Sequence, residues 1–268
     1  MTKRTLERVW SPQLRNRRTV DIYLPASYPS GRRYPVVYMQ DGQNLSDPAI
    51  AFGGNTWDLD GALERLSASG LEAIIVGVHN MGEARLAEYS PVPDRRHGGG
   101  EADAYLEFLS ATLKPRIDRL FRTRPDRDET AILGSSMGGL VSLYAYFRFP
   151  SIFGLAGVMS PSIWFGQGAI LHFVQEARTP PGRLYIDVGL LEGIGTLRDA
   201  RRLARLLARK GFARDRRGRR TRGEYAGVDR RGRHEGRPRV RYVEDPAGRH
   251  NEGSWARRLE GALRFLLE

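Results

Sequence analysis

Short apolar runs alternate with longer amphipathic stretches along most of the chain. Val20 to Leu24, Pro35 to Met39, Ala73 to Val78, Thr130 to Leu133, Leu155 to Met159, Leu184 to Val188 and Val240 to Val243 read as strands. The middle ones are short, β-branched and apolar on both faces, as strands inside a parallel sheet must be. Between them, Tyr105, Phe108, Leu109, Leu113, Ile117 and Leu120 recur at three- and four-residue spacing. Trp255, Leu259, Leu263 and Leu266 do the same near the end of the chain. That period predicts helices with one apolar face. An antiparallel opening over residues 4–24, then repeated strand–helix units, predicts an α/β fold: a mostly parallel central sheet with helices on both faces. No linker or fixed-period repeat divides the chain, so residues 1–268 are expected to form one domain.

The pattern fails at residues 213–238. This stretch is rich in arginine and glycine and has no apolar periodicity. A segment of that kind cannot bury enough apolar surface to offset the entropy of ordering it, so a flexible surface insertion is expected. It also accounts for most of the formal charge. Between Ala213 and Arg241 there are twelve arginines and four acids, a local +8 out of +12 for the whole chain. A polyanion-binding protein acting through residues 213–241 is therefore one alternative reading. The segment has Tyr225 as its lone aromatic and no nucleic-acid motif, which argues against specific recognition of bases. The chain has no cysteine, hence no disulfide framework and no thiolate chemistry. No apolar run is long enough for a membrane span, and the first residues lack the apolar core of a signal peptide, so a cytoplasmic location is expected.

Gly134-Ser135-Ser136-Met137-Gly138 fits G-x-S-x-G, and it lies between a strand and an apolar helix beginning near Leu140. That is the setting of a nucleophile elbow, in which a sharp turn lifts the serine hydroxyl above the carboxyl edge of the sheet. Ser136 is the expected nucleophile. A serine hydroxyl needs a neighbouring base. Of the histidines at 79, 97, 172, 234 and 250, only His250 follows the last strand, where α/β-hydrolases carry their base. His234 falls in the basic segment, His79 is placed to line a pocket, and His97 and His172 are read as incidental. The acid should follow the strand at 184–188. Glu192 in the next loop is favoured, Asp187 within the strand is the alternative, and a Ser–His dyad is a third possibility. The backbone N–H groups of Met137 and Gln43 are the expected oxyanion donors, with Gly42 permitting a tight turn.

With these residues in place, the chain resembles the "putative-esterase" group of α/β-hydrolases, and most of all its enterochelin-esterase-like branch. The matching stretches are Val36 to Asn44, Arg85 with Glu88-Tyr89-Ser90-Pro91, Gly134 to Leu140, Ser160-Pro161-Ser162-Ile163-Trp164, and His250-Asn251-Glu252 with Trp255. The resemblance implies hydrolysis of a small-molecule carboxylic ester, anionic or aromatic, without a metal or an organic cofactor. It maps nucleophile, base and acid to Ser136, His250 and Glu192. Asp41, Arg85, Tyr89 and Trp164 become candidates for the substrate pocket; Trp57 and Phe165 could join an aromatic wall or simply belong to the core. Gln40 departs from the group, which commonly has histidine before Asp-Gly. Acyl transfer to an acceptor other than water would use the same residues and is the second alternative.

Overall fold

The computed structural model describes residues 1–215 and 238–268; most of the arginine-rich segment, including His234 and Tyr225, lies outside the described residues. The chain opens with β1 (Thr2–Ser11) and β2 (Asn16–Leu24), followed by β3 (Val36–Gln40), α1 (Leu59–Ala68), β4 (Ile74–Val78) and α2 (Arg85–Glu88). Next, α3 (Ala102–Glu107) continues through a π-helical stretch, Phe108–Leu113, into α4 (Lys114–Leu120). The second half comprises β5 (Thr130–Ser135), α5 (Met137–Arg148), β6 (Leu155–Met159), α6 (Ala169–Glu176), β7 (Arg183–Gly189) and α7 (Ile194–Arg209). It ends with β8 (Ala213–Arg214), β9 (Arg239–Asp245) and α8 (Glu252–Leu267).

The described strands form one sheet in the order β1-β2-β4-β3-β5-β6-β7-β9-β8. β2 pairs antiparallel with β1 and β4, and every other pairing is parallel. Alternation along each strand divides the core in two, because successive side chains point to opposite faces. Val36 and Tyr38 pack with α5, α6 and α7 on one face. Val37 and Met39 pack with α1 and α8 on the other. Both faces of the central strands are thus covered, which explains why their sequences are apolar throughout rather than alternating. The sheet order and the exchange of β3 and β4 define the α/β-hydrolase fold expected from the sequence.

One boundary differs from that expectation. Residues 213–215 do not belong to an insertion but complete the sheet edge. Ala213 and Arg214 pair with Arg239 and Val240, and the Asp215 N–H donates to Val240 O at 2.8 Å. The Asp215 carboxylate bonds the nearly buried Arg241, whose guanidinium lies 4.4 Å from the Phe265 ring centre. The exchange stabilises a cation that the apolar face of α8 would otherwise strand.

Parallel strands place their carboxyl ends along one edge of the sheet. Asp41 follows β3, Ser136 follows β5, Ser160 follows β6, Glu192 follows β7 and His250 follows β9. Five loops far apart in sequence converge there.

Candidate active site

Ser136 sits at φ 57°, ψ −120°, between the end of β5 and the first turn of α5. Its N–H donates to Met159 O at 3.0 Å, which ties the turn to β6. A left-handed φ on a non-glycine residue is strained and persists only when its surroundings hold it. The flanking glycines show why the turn can close. A Cβ at Gly134 would lie 2.6 Å from the Gly138 backbone, and one at Gly139 2.8 Å from Met159 O. Ser136 therefore caps the amino end of α5, where the helix dipole favours negative charge.

His250 bridges the nucleophile and an acid. Its Nε2 lies 2.9 Å from Ser136 Oγ, and its Nδ1 lies 2.9 Å from Glu192 Oε2. The imidazole is 40% exposed, whereas the Glu192 side chain is fully buried. Burial pushes the Glu192 carboxyl up, but hydrogen bonds from His250, Ser160 and the Gly189 N–H more than reverse this, so it ionises below the usual glutamate range. Asp187, the other candidate acid, faces α8 instead: its Oδ1 accepts the Ser160 N–H at 3.1 Å and its Oδ2 lies 3.1 Å from Arg258 Nε. Burial pushes the Asp187 carboxyl up to about 6 against the pull of Arg258. The structure brings Glu192, rather than Asp187, to His250.

The loop after β3 faces the nucleophile. Met137 is the first residue of α5, so its N–H has no acceptor within the helix. Gln43 lies in a 3-10 turn, Gly42–Asn44, and its side-chain Oε1 accepts the Asn80 N–H at 3.1 Å. The reason for Gly42 is not the one expected. The left-handed residue of this turn is Asp41, at φ 55°, while a Cβ at Gly42 would lie 2.4 Å from the Gly77 backbone. Close approach to β4 is what demands glycine there.

A cleft of about 500 Å³ opens beside Ser136. Asp41, Asn80, Arg85 and Glu252 are among its polar lining, and Ile50 and Phe52 among its apolar lining. Asp41 Oδ1 receives Asn80 Nδ2 and Arg85 Nε, both at 2.7 Å, and Oδ2 receives Arg85 Nη2 at 2.8 Å. The fork-on-fork geometry holds both residues in place; burial lowers the basicity of Arg85, but the charge of Asp41 and its hydrogen bonds together more than reverse this.

The aromatic candidates separate. Tyr89 is fully buried beneath the cleft, where its hydroxyl accepts the Asp41 N–H at 3.3 Å, so it supports the wall without lining it. Trp57 and Phe165 are core residues. Trp164 is half exposed, packs on His97 and Phe165, and lies outside the cleft. Burial decided these placements, because large aromatic surfaces gain most from leaving water. His79, expected to line a pocket, instead bonds the buried Asp21 at 2.9 Å. Gln40 is also buried and takes the Tyr105 hydroxyl on its Oε1.

Residues that sequence reasoning missed stand around the triad-like group. Ser162 Oγ lies 3.1 Å from Ser136 Oγ, and Ser160 Oγ donates to Glu192 Oε1 at 2.6 Å. Both come from the Ser-Pro-Ser-Ile-Trp stretch, which was noted without a role. Arg258 lies on the buried face of α8, and a charge interrupting an apolar stripe was its only sequence signal. Ile50, Phe52 and Asn80 carried none. Among the described residues no group of three or more His, Asp or Glu side chains is arranged to hold a metal ion. No described helix is long and apolar enough to cross a membrane.

Residues 11–266 match the family described as "Putative esterase", and the chain belongs to that family, whose members support an ester hydrolase of the α/β-hydrolase type. The uncharacterized protein YbbA of Bacillus subtilis (strain 168) is 28% identical over 212 residues, 74% of this chain and 81% of its own length. An iron(III) enterobactin esterase of Dickeya dadantii (strain 3937) is 28% identical over 183 residues, 66% of this chain but only 38% of that protein. The crystal structure of an IroE-like serine hydrolase from Shewanella oneidensis superposes with a TM-score of 0.72 at 20% identity, covering 99% of this chain and 80% of that one. The latter likeness is one of fold.

Proposed function

We propose that this protein is a serine carboxylesterase in which Ser136 is the nucleophile, His250 the general base and Glu192 the acid that orients it. The observation that carries the reading is the unbroken path Glu192–His250–Ser136, with both contacts at 2.9 Å. In the first half-reaction Ser136 Oγ attacks the ester carbonyl while its proton passes to His250 Nε2. In this reading the developing oxyanion accepts hydrogen bonds from the backbone N–H groups of Met137 and Gln43. His250 then returns the proton to the departing alkoxide, leaving an acyl group on Ser136 and a free alcohol. Water enters, loses a proton to His250 and attacks the acyl carbonyl; collapse releases the acid and restores Ser136.

The cleft supports an ester that carries an aromatic ring; two relatives are named as enterobactin esterases. Phe52 is 76% exposed and lines the cleft with Ile50, where a planar acyl group could lie. The Asp41–Arg85 pair supplies hydrogen-bonding groups to a ring hydroxyl. In the test, Ser136→Ala should abolish both covalent labelling by a fluorophosphonate and hydrolysis of p-nitrophenyl esters, with circular dichroism unchanged. Labelling that persists at another serine would overturn the assignment.

A further inference from the structure

Glu192 is held by groups that take no part in the proposed acyl transfer. Its Oε1 receives the Ser160 hydroxyl at 2.6 Å, the Gly189 N–H at 2.7 Å and Arg258 Nη2 at 3.4 Å. Ser160 Oγ in turn receives Arg258 Nη2 at 2.7 Å and Trp255 Nε1 at 3.1 Å. A guanidinium and an indole N–H can only donate. Both lone pairs of the Ser160 hydroxyl are therefore occupied, and its one proton has a single direction left, toward Glu192. An oxygen receiving three donors must act as an acceptor. The other carboxylate oxygen then accepts from His250 Nδ1, and Nε2 is left bare to take the Ser136 proton.

We infer that Ser160, oriented by Arg258 and Trp255, is a positioning residue that holds the Glu192 carboxylate in the orientation from which Oε2 meets His250 Nδ1; the inference rests on the roles proposed above for Ser136, His250 and Glu192. The geometry around Ser160 is consistent throughout. The residue is fully buried and held at φ 40°, a conformation that alanine and serine adopt only under constraint. Its N–H is shared between two acceptors of Asp187, the main-chain carbonyl at 3.0 Å and Oδ1 at 3.1 Å. Asp187 also steadies the guanidinium from the far side. Arg258 has its Nε 3.1 Å from Asp187 Oδ2, a charge contact off the axis of a hydrogen bond, and its Nη1 3.4 Å from Asp245 Oδ2. Three carboxylates thus surround one cation that is 5% exposed, and that cation sets the direction of the Ser160 proton. Trp255 has a second role, since its ring packs edge-on against His250 with centres 5.1 Å apart.

The test compares Ser160→Ala with Ser160→Gly in the full chain. Both lose the hydroxyl, but glycine relaxes the left-handed backbone whereas alanine does not. Both variants leave Trp255 and Arg258 short of an acceptor, so thermal stability should fall in both, and less in Ser160→Gly than in Ser160→Ala. If Ser160 positions the relay, both should lose kcat for p-nitrophenyl acetate by about 10- to 100-fold with KM little changed, the loss expected for one hydrogen bond to a charged group. The acidic limb of the kcat profile should move to higher pH in both, because Glu192 has lost a donor to its ionised form. Proton and nitrogen-15 spectra of labelled histidine should show a strongly hydrogen-bonded Nδ1–H on His250 in the wild type, and in both variants the same proton shifted upfield as the carboxylate loses its fixed orientation. A kcat that follows the melting temperature, or an Nδ1–H signal unchanged in the glycine variant, would overturn the inference. Activity of the wild type that survives Ser136→Ala would instead overturn the proposed catalytic roles themselves.

Discussion

Glu192→Gln should be more damaging than Glu192→Ala, although glutamine is the closer mimic. The structure dictates how the new amide would sit. The Oε1 position receives Ser160, the Gly189 N–H and Arg258, so only a carbonyl oxygen is tolerated there. The amide NH₂ must then occupy the Oε2 position, 2.9 Å from His250 Nδ1. Nδ1 is forced to accept, the proton moves to Nε2, and the nitrogen facing Ser136 can no longer act as a base. A mis-set tautomer of this kind costs on the order of 10⁴-fold in kcat in a serine protease triad, equivalent to about 5.4 kcal/mol of barrier. Alanine removes orientation and charge stabilisation but leaves His250 free to adopt either tautomer, so a loss of about 10²- to 10³-fold is expected. Steady-state hydrolysis of p-nitrophenyl butyrate near pH 8, normalised to folded protein, reads the difference. Equal losses, or a more active glutamine variant, would refute the argument.

Other perturbations probe other parts of the molecule. His250→Ala should lower kcat by several orders of magnitude, close to the loss from Ser136→Ala, since members of such a unit are not additive; His79→Ala should leave kcat nearly intact in the same assay. Asp187→Asn should alter the pH dependence of stability. With a folded value of about 6 against an ordinary 3.8, the native protein holds a proton that the unfolded chain has released, so this group's contribution declines as pH rises through that window. The variant lacks the decline, and between pH 4 and 7 its stability relative to wild type should improve by on the order of 2–3 kcal/mol in denaturant titrations. Glu88→Ala would leave Arg18 buried without its bidentate partner at 2.7 and 2.9 Å. A loss of about 3–5 kcal/mol is expected, read as a lower denaturant midpoint.

Local pattern alone determined a good deal. The apolar runs placed seven strands of the sheet, because strands covered on both faces must be apolar at consecutive positions. The elbow was legible because G-x-S-x-G between a strand and a helix is a local pattern, although the contacts that demand Gly134, Gly138 and Gly139 come partly from the ends of two neighbouring strands, β3 and β6. His250 and Glu192 are candidates by their order along a parallel sheet, where each loop's place in the chain fixes its place on the carboxyl edge, and the structure brings the two within 2.9 Å of each other. Folding decided the rest, because it turned on partners with no sequence proximity. The residues of β8 fall within the stretch whose pattern predicts an insertion, since two residues carry no periodicity; only pairing with β9 and the bond between Asp215 and Arg241 make them a strand. Tyr89, Trp57 and Phe165 looked equally suited to pocket or core, and three-dimensional packing buried all three. Arg258 and Ser160 lie 98 positions apart, and neither has a use until α8 lies against the end of β6. A hydrogen bond is made by atoms within about 3 Å of each other, whereas a sequence motif records only neighbours along the chain. Roles that depend on the first therefore stay hidden from the second until the backbone closes the distance.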